Sequence, residues 1–152
     1  FSIAPKAELA TGAVIRNRAE IVFDVNEPII TNEWVNVIDV DAPVSQVQSL
    51  PATQQSDRVS VKWTGSDAGS GIERYAVFVS RDGGLFQLWL ANATQTSATF
   101  YPPASGRYAF YSIARDGAGN IEASKQVAEA TTEITIPGSS VSNALYLPVV
   151  QR

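Results

Sequence analysis

Apolar residues in this chain return at every second position, in short runs cut by clusters of Gly, Pro, Asn, Asp and Ser. Successive side chains of an extended strand point to opposite faces, so each run reads as a strand with one face turned to a core. "RVSVKW" (58–63) sets Val59, Val61 and Trp63 on one side and Ser60 and Lys62 on the other. "ERYAVFVS" (73–80) aligns Tyr75, Val77 and Val79, and "RDGG" (81–84) has the Asp-Gly pair that suits a primed hairpin turn. "LFQLWLA" (85–91) and "TSATFY" (96–101) follow, and "RYAFYSIA" (107–114) turns Tyr108, Phe110, Ser112 and Ala114 inward. "IEASKQVAEATTEI" (121–134) reads as a closing strand. With "VSQVQSL" (44–50) these make seven strands in about 95 residues, the spacing of an all-β sandwich. Helical periodicity is almost absent.

Three residue types are missing altogether: Cys, His and Met. Without Cys there is no disulfide, thiolate nucleophile or cysteine zinc site. Without His there is no Ser-His-Asp triad and no imidazole acid, base or metal ligand. Without Met the sequence reads as a processed product or excised segment. Eleven basic and fifteen acidic residues leave a net charge of −4. No basic stripe is available to neutralise nucleic-acid phosphates. No apolar run approaches the ~18 residues of a membrane helix, so no membrane insertion is expected.

Trp63 on the second strand, Tyr75 on the third and "GRYAFYSIARDGAGNIE" (106–122) together resemble a bacterial fibronectin type III-like, Ig-like module over residues 42–136. The resemblance implies a core tryptophan, and a tyrosine opening the sixth strand whose hydroxyl bonds to nearby backbone. Tyr108 occupies that place. It implies little about function, because sandwiches of this kind host many unrelated roles.

Residues 1–40 are a different object. "AVIRNRAEIVFDVN" (13–26) alternates Ile15, Asn17, Ala19, Ile21, Phe23 and Val25 against Arg16, Arg18, Glu20 and Asp24. "ITNEWVNVID" (30–39) aligns Ile30, Asn32, Trp34, Asn36 and Ile38. The stretch resembles the closing strands of a repeated β-sandwich domain of large bacterial surface proteins. Two or three strands cannot bury both faces alone. Ile21, Phe23 and Trp34 are therefore expected to pack on residues 42–136, on the C-terminal tail or on a neighbouring chain. "VIDVDAP" (37–43) is the boundary, stiffened by Pro43. "PGSSVSN" (137–143) is a flexible link to "ALYLPVVQR", an apolar tail that reads as a sorting element or an added edge strand; 137–152 forms a third segment.

The loop "GSDAGSG" (65–71) admits several chemistries. As a phosphate cradle it lacks a following lysine and leads into a strand rather than a helix. As a turn it is well suited, with glycines for positive φ and Ser and Asp for local backbone bonds. A third reading makes it one wall of a calcium site. In a seven-strand sandwich the loops after strands two and six share a pole with the incoming linker. Asp39 and Asp41 of the linker, Asp67 of the loop, and Asp116, Asn120 and Glu122 of "RDGAGNIE" would then converge as oxygen ligands. Arg74 or Arg115 could instead neutralise the same carboxylates.

Other candidates have simpler alternatives. "DVNE" (24–27) opens like an EF-hand loop but lacks its glycine and distal glutamate, and an Asx turn before Pro28 accounts for it. Asn17 reads as a core amide, or as an isopeptide partner for Lys6. Trp89, opposite Phe86, Leu88 and Leu90 in its run, is a candidate sugar-binding platform. "NAT" (92–94) fits a glycosylation sequon but also an ordinary turn. The expectation for function is a non-catalytic structural or adhesive spacer at the C-terminus of a large secreted or cell-surface bacterial protein. It would contact other domains of that protein. The alternative is an accessory carbohydrate- or cell-wall-binding module of a secreted hydrolase.

Overall fold

The computed structural model describes residues 9–138, and these contain strands and turns with no helix. The described residues hold twelve strands: β1 (Val14–Asn17), β2 (Glu20–Ile21), β3 (Ile29–Ile30), β4 (Trp34–Val37), β5 (Val44–Val47), β6 (Thr53–Gln55), β7 (Val59–Ser66), β8 (Ile72–Arg81), β9 (Gln87–Ala93), β10 (Ser97–Phe100), β11 (Gly106–Asp116) and β12 (Ala130–Thr135). β5–β12 form an all-β sandwich. One sheet has the order β10-β7-β5 and the other β6-β12-β11-β8-β9.

The alternation is realised as read. Val59, Val61 and Trp63 of β7 are buried against Tyr75 and Val77 of β8 and Tyr108, Phe110 and Ala114 of β11. Trp63 meets Tyr75 edge-on at 6.3 Å between ring centres, a preferred aromatic arrangement. The Tyr108 hydroxyl donates to the Ala104 carbonyl at 2.7 Å, as the resemblance implies. Asp82 and Gly83 both have positive φ (51° and 75°), and Gly84 N–H donates to the Arg81 carbonyl at 2.9 Å, closing the hairpin between β8 and β9.

Two strands differ from expectation. The run at 44–50 does not continue as one strand. The chain leaves β5, passes Pro51, and changes sheets to lay β6 parallel to β12, so eight strands stand where seven were expected. The closing strand is only Ala130–Thr135, because the chain pairs with β11 irregularly before it: Glu122 N–H donates to the Ala114 carbonyl at 3.0 Å and Glu129 N–H to the Phe110 carbonyl at 2.8 Å, with no ladder between. Glu122 and Glu129 fold back and take the strand's place. Glu122 accepts from Ser45 N–H (2.8 Å), Ser45 Oγ (2.5 Å) and Ala114 N–H (2.9 Å). Glu129 accepts from Val47 N–H (2.8 Å) and Ser112 N–H (3.0 Å). Lys125 Nζ lies 2.7 Å from Glu122 and 2.6 Å from Glu129, and also donates to the Ser45 carbonyl. Carboxylates thus satisfy amides of both β5 and β11 across the seam between the sheets, closing an edge that would otherwise be open. Burial alone would raise the Glu122 pKa, but the Lys125 ammonium and the Ser45 and Ala114 donors outweigh it and hold the carboxyl below its ordinary range.

Residues 9–38 form two small antiparallel ladders, β1 with β4 and β2 with β3. The expected faces exist: Ile15 opposes Asn36 and Asn17 opposes Trp34. Of their expected covers, residues 42–136 supply none. Trp34 is 72% exposed, and Ile21 and Phe23 are also exposed, so among the described residues nothing of 42–136 buries them. Asn17 likewise faces solvent rather than a core; Lys6 and the tail residues Leu145–Val150 lie outside the described residues. At 24–26 the chain makes a turn with Asp24 at φ 50° and Asn26 N–H donating to the Phe23 carbonyl.

Candidate functional site at the junction

The linker, the β7–β8 loop and the turn after β11 meet at one pole of the sandwich. Asp39, Asp67 and Asp116 each bring a carboxylate oxygen there, all within 4.8 Å of one another. β4 ends just before Asp39, and Thr11 holds the linker in place: its hydroxyl donates to Asp39 Oδ1 and accepts from Val40 and Asp41 N–H. Asp39 Oδ2 reaches across to accept from Ser70 N–H at 2.7 Å. The Ser70 hydroxyl and amide hold the Asp39 carboxyl below its ordinary value of 3.8.

The glycines of "GSDAGSG" act mostly by being small. Gly71 alone among the three has positive φ, 78°. A Cβ on Gly69 would collide with the Asp39 carboxyl group, so Gly69 is what lets the linker aspartate close on the loop. A Cβ on Gly65 would stand 2.8 Å from the Tyr75 ring and hydroxyl. Asp67 Oδ2 accepts from the amides of Gly69 (3.0 Å) and Gly71 (2.8 Å). Three loop amides that a phosphate would need are therefore already taken by aspartates. The loop is joined to the turn after β11 by Gly117 N–H to the Gly71 carbonyl and Ala118 N–H to Ser70 Oγ.

Asp116 is fully buried. Its Oδ1 accepts from Gly119 and Asn120 N–H at 2.7 and 2.8 Å, and its Oδ2 from Asn120 Nδ2 at 2.8 Å. Asn120 Nδ2 also lies 3.2 Å from the Asp39 carbonyl, so this amide stands between two of the three acidic residues. Asp67 Oδ1 is sealed from solvent and has no hydrogen-bond partner. Neither arginine neutralises the group. Arg74 pairs with Glu73, and Arg115 Nε approaches the same Glu73 at 3.8 Å. Among the described residues no ion pair reaches Asp39, Asp67 or Asp116.

Of the six sequence-predicted oxygen ligands, three therefore gather and Asn120 adjoins them. Asp41 does not join the carboxylates; it is exposed and contributes its N–H to Thr11 and Asp39. Glu122 points the other way, into the seam, because Lys125 and three donors hold it there. Trp89 is not an open platform. Its ring makes edge contacts with Trp63, Phe100 and Phe110 at 6.5, 5.2 and 5.9 Å, while Leu88 takes the outward face. Sequence reasoning missed Thr11 and Ser70, whose roles depend on a contact between segments far apart in the chain.

A trough of about 680 Å³ lies on the outer face of the larger sheet. Ser80, Ala109 and Thr131, in register across β8, β11 and β12, make a floor of small side chains. Tyr111, Phe86, Leu85 and Arg107 also line it.

A family model described as a domain of unknown function (DUF7619) matches residues 1–37, the segment of the small ladders. No curated protein matches the chain.

Proposed function

We propose that the chain is a structural, adhesive spacer of a large bacterial protein that is secreted or held at the cell surface, and that it performs no catalysis. The observation that carries this reading is the joint: Thr11, Asp39 and Ser70 link the two β units through hydrogen bonds at a linker of only a few residues. Such a joint suits a rod-like element that holds neighbouring domains in fixed relation. The two sheets, β10-β7-β5 against β12-β11-β8-β9, and the Tyr108 bond to Ala104 support the finer reading of residues 42–136 as fibronectin type III-like. The carboxylates of Glu122 and Glu129 are engaged by backbone amides and Lys125, which supports a structural use for them. Small-angle scattering on the full chain tests the joint. A narrow distribution of shapes that broadens in Asp39→Ala is expected; an equally broad distribution in the parent would refute the spacer reading.

The trough favours a second reading, an accessory carbohydrate- or cell-wall-binding module. Its volume lies in the range of small-ligand sites, and it combines aromatic, hydroxyl and guanidinium groups. Binding to a glycan array that is lost in Phe86→Ala and kept in Leu88→Ala would move the balance to this reading.

A further inference from the structure

We propose that Asp39, Asp67 and Asp116 bind a calcium ion at the joint between the two units. Three carboxylates lie within 4.8 Å, among the described residues no cationic side chain pairs with any of them, and like charges so gathered repel unless a positive charge sits between them. A second, separate observation points to a ligand. Asp67 Oδ1 is shut off from water and accepts nothing, although its partner oxygen Oδ2 is satisfied twice by loop amides. A buried carboxylate oxygen with no partner is costly, and a metal ion supplies the missing interaction.

The donor set selects the ion. The three carboxylates offer hard oxygen ligands, and the chain has no His, Cys or Met to hold a softer metal. The ligands come from three loops of irregular geometry, which a large cation of flexible coordination accepts more readily than magnesium does. The Asn120 amide, now donating to Asp116 and Asp39, can present its oxygen to the ion by a half-turn about its last bond. With three carboxylates and one neutral amide, an affinity in the 0.1–1 mM range of roughly extracellular modules is expected.

Because Asp39 belongs to the linker and is held by Thr11, ion binding and docking of the first unit must be linked reciprocally. This consequence rests on the two-unit joint of the spacer reading; the ion site itself does not.

The test uses the full chain, freed of metal with EGTA and titrated with calcium chloride by calorimetry and thermal unfolding. Saturable binding of one calcium per chain is expected, with a melting temperature raised by several degrees and little effect of magnesium. Asp67→Asn and Asp39→Asn, which keep the side-chain size, should each weaken binding at least tenfold. Asp39 is at the surface of the linker, so its variant remains folded even where Asp116→Asn does not. Thr11→Val removes no ligand and should weaken binding a few-fold by loosening the linker. No calcium binding by the parent up to 10 mM (on the order of ten times the expected constant), or binding unchanged in both Asp variants, overturns the site. Binding lost in the Asp variants but unchanged in Thr11→Val keeps the site and overturns the linkage. A parent that binds calcium yet scatters as a broad ensemble with and without it would fail the spacer reading alone.

Discussion

Residues 9–38 and residues 43–136 obey the same two-residue rule and end in opposite conditions. In the sandwich, Val61, Trp63, Val77 and Phe110 are shut away from water, because a second sheet lies over the apolar face of the first. In the small ladders, Ile15, Ile30 and Trp34 alternate just as regularly and remain exposed. Backbone pairing is correct in both regions; among the described residues, only the sandwich faces are covered. Alternation therefore decides which residues share a face and leaves open whether anything covers that face. The sandwich should carry the cooperative stability of the chain, and the ladders should contribute little of their own.

Replacing one tryptophan in each region gives the sharpest contrast. Trp63→Ala empties the centre of the core and should cost about 3–5 kcal/mol, enough to unfold much of the population. Trp34→Ala should change the urea midpoint by no more than about 0.5 kcal/mol equivalent. Equal losses would mean that the ladders are part of the same cooperative unit.

Next comes the polar seam, which only the sandwich possesses. Lys125→Met leaves Glu122 and Glu129 facing each other, largely buried and without their common cation, at a cost of about 2–3 kcal/mol. Acid should act at the same place. The folded pKa of Glu122 lies below its ordinary 4.5, so its stabilising contribution is complete above about pH 4.5 and is lost as the pH falls through the depressed folded value. Glu122→Gln should be less stable at pH 7 and show a shallower loss on acidification. A parent whose urea midpoint does not fall between pH 5 and 3 would contradict the seam's role.

A smaller effect is expected from Tyr108→Phe, which leaves the Ala104 carbonyl without its donor and should cost about 1 kcal/mol in chemical denaturation. Smallest is a matched pair of glycine changes. Gly83 and Gly12 both have positive φ and open space where a Cβ would stand. Alanine imposes a similar local strain at each, up to about 1 kcal/mol. Only Gly83→Ala should lower the unfolding midpoint. Gly12→Ala should be visible instead as faster amide exchange near Ile38, whose carbonyl accepts from the Gly12 N–H.

The sequence alone determined the period-2 faces, the Asp-Gly turn and the inward tryptophan, because each depends on residues close together along the chain; the tyrosine tie came with the resemblance to a fibronectin type III-like module. It also brought Asp39, Asp67 and Asp116 to one pole, since the order of strands in a sandwich fixes which loops are neighbours. Tertiary structure decided what depends on which segments touch. Glu122 went to the seam because Lys125 and the amides of β5 and β11 lay within its reach, and Trp89 went to the core because Phe100 and Phe110 stood opposite. Gly69 owes its place to the approach of a carboxylate thirty residues earlier in the chain. Alternation repeats along one strand and is legible there; hydrogen bonds and cover between strands are satisfied in three dimensions, and the faces of the first unit take no such cover from residues 42–136.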